Sequence, residues 1–111
     1  MNVNKLVESL NLKVISGEKG LENEICGGYV SDLLSDVMGN AEAGQAWITL
    51  QLHKNIMAIA SLKELACIIV VKGLEPNSET IEQSNLEGIP ILGTKSETFE
   101  IAGRLYELLQ G

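Results

Sequence analysis

The sequence predicts an α/β fold in which helices cover both faces of one mostly parallel sheet. Two observations predict the class, and a third sets the number of domains. Through the second half of the chain, strand-like apolar runs alternate with stretches of helical spacing. One run, "CIIVV" at 67–71, is apolar at every position, as befits a central strand covered on both faces. No linker, duplicated segment or low-complexity tract divides the 111 residues, so one domain over 1–111 is expected.

The elements follow in order. Val3, Leu6, Val7 and Leu10 stand at helical spacing over 3–10, and "LKVIS" (12–16) is a short strand closed by the turn-rich "GEKG". A second strand is expected at 24–30, "EICGGYV", whose Gly27-Gly28 pair implies a bulge or a close backbone approach. "SDLLSDVMGN" reads as a helix capped by Ser31, with Asp32 set against the dipole and Gly39-Asn40 as the stop. In "QAWITLQ" (45–51) the residues alternate: Trp47, Thr49 and Gln51 share one side, and Ile48, Leu50 and Leu52 the other. A helix over 54–65 leads to the strand at 67–71. The next helix opens at Asn77 or Ser78 and closes at Gly88, ahead of a strand at 89–93. The last helix covers about 95–110 and is opened by Thr94-x-x-Glu97, a capping-box pattern. Strands and helices in this succession build right-handed βαβ units.

Composition narrows the function. The net charge is −7 and no Lys or Arg cluster exists, so the basic footprint of a nucleic-acid surface is missing and an anionic membrane is disfavoured. The longest apolar run falls far short of the ~20 residues that cross a bilayer. With no secretory leader pattern either, a cytoplasmic location is expected. Cys26 and Cys67 stand alone without ligand spacing, so reduced structural thiols and no metal site are expected.

Ligands of open α/β sheets bind beyond the carboxyl ends of the strands. Here those ends are 51–55, 72–77 and 93–96. His53, the only histidine, has no acid nearby in sequence and no serine before Ser61, so it reads as punctuation between strand and helix rather than as a catalytic base. Asp32 and Asp36 lie one helical turn apart, which a solvated helix face explains more cheaply than a metal site. No phosphate loop, dinucleotide fingerprint or nucleophile elbow occurs, and the strand ends lack the aspartates of a phosphoacceptor domain. No catalytic residue and no cofactor are expected. The binding candidates are Thr49, Gln51, His53, Asn55, Lys72, Gly73, Thr94 and Ser96, converging in one cleft on a small anion, with Lys72 or Lys95 supplying charge. Two helices are greasier than a monomer surface requires. One carries Ile56 to Ala60; the other carries Phe99, Ala102, Gly103, Tyr106 and Leu109 on one face and Ile101, Leu105 and Leu108 on a second. A homodimer built on either helix is expected.

The segments "GGYVSDLLSDVMG", "GQAWITLQLHKNIMAIASLKELACIIVVKG", "IEQSNLEGIPILGT" and "ETFEIAGRLYELL" resemble the DRTGG-domain family, notably its small stand-alone branch. The resemblance spans about Leu12 to Leu109. It implies a three-layer α/β/α fold with a five-stranded sheet, like the N-terminal domain of HPr kinase/phosphorylase. It also implies a regulatory and dimerising role without catalytic residues, next to a redox enzyme, hydrogenase or kinase. The alternative to ligand sensing is a protein–protein interaction adaptor that binds no small molecule. The chain departs from the family's motif: Leu52, His53, Lys54 and Asn55 stand where Asp-Arg-Thr is common. Only Gly73 follows Lys72 where a Gly-Gly pair is usual.

Overall fold

The computed structural model describes residues 1–111. In chain order the elements are α1 (Val3–Leu10), β1 (Lys13–Ser16), a 3-10 turn (Glu18–Gly20), β2 (Gly27–Val30), α2 (Leu34–Asn40), β3 (Gln45–Thr49), α3 (Asn55–Leu62), β4 (Cys67–Val70), α4 (Ser78–Glu87), β5 (Ile91–Gly93) and α5 (Thr98–Gln110). The sheet runs β1-β5-β4-β3-β2, so the wholly apolar β4 is central, as its composition requires. Strands β2 to β5 are parallel, and β1 closes the far edge antiparallel to β5.

Side-chain alternation divides the sheet between two cores. Ile48, Ile69 and Leu92 pack with Val3, Leu6, Ile101 and Leu105 of α1 and α5. Trp47, Ile68, Val70 and Ile91 pack with Val37, Ile56, Met57 and Ala60 of α2 and α3. The layers are therefore α/β/α. Helix α4 lies beside α3 and buries two hydroxyl residues, Thr80 and Ser84. Ser84 Oγ accepts from Ser16 Oγ at 2.9 Å and donates to the Ile89 carbonyl at 2.6 Å. No helix is long and apolar enough to cross a membrane.

Several local expectations are corrected. Helix α2 begins at Leu34, because Ser31 Oγ accepts from Leu33 N in a tight turn and Asp32 swings away to β3. Helix α5 begins at Thr98: Thr94 Oγ1 accepts from Ser96 N and so turns the loop instead of capping the helix. Helix α3 stops at Leu62, with Glu64 in the left-handed region (φ 55°). Its Ile56, Met57, Ile59 and Ala60 are buried against the sheet, so these apolar residues belong to the core, and only Leu62 of its large apolar side chains stays exposed. At Gly28 the close approach is real. A Cβ would lie 2.9 Å from Leu105 Cδ2, while the pairing of Gly27 and Gly28 with Gln45 and Ala46 is regular, without a bulge. The irregularity falls in β1, between Val14 and Ser16.

Candidate functional site

The carboxyl ends of β3, β4 and β5 carry the candidate residues, and the structure gathers most of them in two groups rather than one cleft, with His53 and Asn55 apart from both. The first group surrounds Asp32. Its carboxylate accepts from Thr49 Oγ1 at 2.9 Å and from Leu50 N at 2.7 Å. Gln51 Nε2 donates to the Asp32 carbonyl at 2.8 Å, and Gln51 N donates to Thr49 Oγ1 at 3.1 Å. Trp47 Nε1 donates to the Ser31 carbonyl at 2.8 Å, fastening the same loop. Thr49 is buried, and its polar capacity is taken up by this cluster.

His53 and Asn55 are exposed at the start of α3, where His53 Nδ1 accepts from Asn55 N at 3.5 Å. The backbone beside them is structural. The Leu52 carbonyl accepts from Asn77 N and, at 2.8 Å, from Thr80 Oγ1, so this segment anchors the first turn of α4. Asp32 and Asp36 do not form a pair. Asp36 accepts from Tyr29 OH at 2.9 Å and from Asn40 Nδ2 at 3.1 Å. Its carboxyl is held below the ordinary value by the Ser31 hydroxyl first, then by the Tyr29 hydroxyl. Tyr29 is raised in turn, chiefly by donating to Asp36. One part of the expectation is corrected: Asp32 is exposed but precedes the helix, so the two carboxylates are not one helical turn apart, and the half-buried Asp36 bonds to Tyr29 and Asn40. No group of three or more His, Cys, Asp or Glu comes together for a metal. Burial pushes the Cys67 thiol up to about 12.

The second group is Lys72, Gly73, Thr94 and Ser96. Lys72 and Gly73 both take left-handed φ values, 61° and 69°. That is uncommon for lysine, and it is held by two cross-loop bonds: Lys72 N donates to the Ser96 carbonyl at 3.0 Å and Gly73 N to the Thr94 carbonyl at 2.8 Å. Their amides are therefore occupied. Lys72 Nζ reaches Glu97 at 3.7 Å. Gly73, Thr94 and Ser96 line a hollow of about 470 Å³ together with Lys13, Lys95 and Arg104. Thr49, Gln51, His53 and Asn55 lie outside it.

Lys13 and Arg104 were not among the sequence candidates. Because β1 is antiparallel, Lys13 pairs with Gly93 and arrives at the carboxyl edge of the parallel strands. Arg104 projects from α5 and donates to the Leu10 carbonyl at 3.5 Å. The available signal was that Arg104 is the only arginine in the chain.

The family model described as "DRTGG domain" matches residues 5–108. This chain belongs to the DRTGG-domain family. Among solved structures, the DRTGG chain is similar to the CBS and DRTGG domains of the regulatory region of Clostridium perfringens pyrophosphatase, complexed with its activator diadenosine tetraphosphate. The TM-score is 0.69 at 18% identity, over 98% of this chain and 46% of that one. At this identity the likeness establishes the fold. The DRTGG chain spans less than half of that regulatory region.

Proposed function

We propose that this DRTGG domain is a non-catalytic regulatory module that works as a homodimer in the cytoplasm and senses a small anionic, nucleotide-like ligand. The observation that carries the dimer is the surface between β2 and α5. Phe99 is 92% exposed, Tyr106 67% and Val30 49%, and they line one groove with Ala102 and Leu109. A contiguous apolar surface of this kind marks an interaction site, and a two-fold axis would set the same groove against its copy. The sensing half is supported by family membership and by the activator bound to the regulatory region of the pyrophosphatase. The resemblance of the stand-alone branch favours a redox enzyme, hydrogenase or kinase as the component regulated.

The exposed groove also favours a second reading, an adaptor that docks on a partner protein without any ligand. Sedimentation of the wild type and of Phe99→Glu separates the two. A wild-type dimer that the substitution converts to a folded monomer supports the first reading. A wild type that stays monomeric at high micromolar concentration removes the dimer and leaves the groove to a partner. For the ligand, a thermal-shift screen of nucleotides and phosphorylated metabolites should find at least one that stabilises, because ligand at 100-fold excess over Kd adds about 2.7 kcal/mol. No stabilisation by any of them would remove the sensing half.

A further inference from the structure

We propose that the hollow between β1, the β5–α5 loop and α5 is a binding site for a small phosphorylated molecule, with Arg104, Lys95 and Lys13 holding the phosphate. The assignment rests on the ligand-sensing half of the proposed function and gives it a location and a chemistry.

The first support is the distribution of charge. The chain has 15 acidic and 8 basic residues, yet three of the basic ones line this hollow, with Glu75 as the single carboxylate. They come from three separate elements, so no one helix periodicity produces the cluster. Lys13 is paired with Glu75 at 3.6 Å, but Lys95 and Arg104 form no ion pair. Two unpaired cations facing one cavity repel each other and gain from an anion between them. An acidic protein also repels anions at a distance, so binding one calls for a local positive focus of this kind.

The second support is the set of donors. Arg104 makes a single long contact, from one N–H to the Leu10 carbonyl at 3.5 Å, so its remaining donors are free. A guanidinium offers the planar fork that matches two phosphate oxygens, with lysines adding point charge. The Ser96 hydroxyl has no partner among the side-chain hydrogen bonds of the chain, and it lines the same wall. The two cross-loop bonds from Lys72 and Gly73 hold that wall in place. Leu10, Ile15 and Leu74 supply apolar lining for the remainder of the molecule, and a volume of about 470 Å³ lies within the range of small-molecule sites.

The test uses the full chain labelled with ¹⁵N and titrated with inorganic phosphate, with adenosine monophosphate, and with adenosine as the uncharged control. The expected result is saturable movement of the Gly73, Thr94, Lys95 and Ser96 amides with both anions and none with adenosine. Arg104→Gln and Lys95→Gln should each weaken binding by about tenfold, the loss of one charge-assisted contact, with the dispersed spectrum retained. The proposal is overturned if neither anion moves these amides, if movement centres on 49–55 instead, or if both variants bind as the wild type does. A ligand from the broader screen that binds away from the hollow overturns this assignment and leaves the sensing function standing. Absence of binding by every screened ligand removes both.

Discussion

The two ends of the sheet's carboxyl edge are built from similar loops and differ in how their polar groups are used. Beyond β2 and β3, the Asp32 carboxylate accepts from the Thr49 hydroxyl and the Leu50 amide, the Thr49 hydroxyl accepts from the Gln51 amide, and the Gln51 side chain donates to the Asp32 carbonyl. Beyond β5 and beside β1, the backbone is just as firmly tied, through Lys72 and Gly73 to the 94–96 loop, but the side chains are not. Lys95 and Arg104 have no acidic partner, and the Ser96 hydroxyl has no hydrogen-bond partner. A strand end whose polar groups satisfy each other is scaffold, and one that holds cations over is where binding is expected. Position at a strand end does not by itself separate the two.

The largest effect should come from opening the closed end. Asp32→Ala removes the acceptor of the Thr49 hydroxyl and the Leu50 amide, and hydrogen bonds to a carboxylate carry more than neutral ones. A loss of about 2 kcal/mol in urea unfolding is expected, and Thr49→Val, which removes only the hydroxyl, should lose about 1 kcal/mol. At the open end Arg104→Gln should change stability by no more than about 0.5 kcal/mol, since the side chain makes one long contact and no ion pair. Similar losses at both ends would erase the distinction between scaffold and site.

The pH dependence of stability sharpens the same contrast. Asp36 is lowered from an ordinary 3.8, so its contribution is present above that value and is lost as pH falls through the lower folded value. Tyr29 is raised from 10.0, so its contribution is present below 10.0 and is lost as pH rises through the higher folded value. The stability gap between wild type and Asp36→Asn should therefore be widest near neutrality and narrow as pH falls below 3.8. A gap that stays constant over that range would show that the carboxylate charge adds nothing to the Tyr29 contact.

These contrasts also explain what the sequence made legible. The parallel order, the central place of β4 and the two-sided burial followed from Cys67 to Val71 and from the alternation around Trp47, because hydrophobic period depends on local residues alone. The interface candidates could not be separated that way. The apolar runs of α3 and α5 look alike until the sheet covers Ile56 and Met57 and leaves Phe99 and Tyr106 outside. The caps failed for a related reason. Ser31 and Thr94 carry the right side chains for capping, but each accepts from an amide two residues on and so turns the chain before a helix can start. Lys13 was hidden because the strand-end rule looks only at carboxyl ends, whereas the antiparallel β1 delivers its amino end to the same edge, and Arg104 because it lies inside α5 rather than in a strand-end loop.

The smallest effect is expected at the chain's lone histidine, which lies between the two regions and belongs to neither. His53 is exposed, and its one contact is the 3.5 Å approach of Asn55 N to Nδ1, at the weak limit of a hydrogen bond. The contacts that fix this segment run through the Leu52 carbonyl to Asn77 and Thr80, and a side-chain change at position 53 leaves them intact. His53→Ala should therefore alter stability by less than about 0.5 kcal/mol, as for surface substitutions away from buried partners. Phosphate titration of the variant should match the wild type, because His53 does not line the hollow. A clear loss of phosphate binding in His53→Ala, with Arg104→Gln unaffected, would move the site to the β3–α3 loop, where the family's eponymous motif is expected, and would make the cations around Arg104 ordinary surface charge.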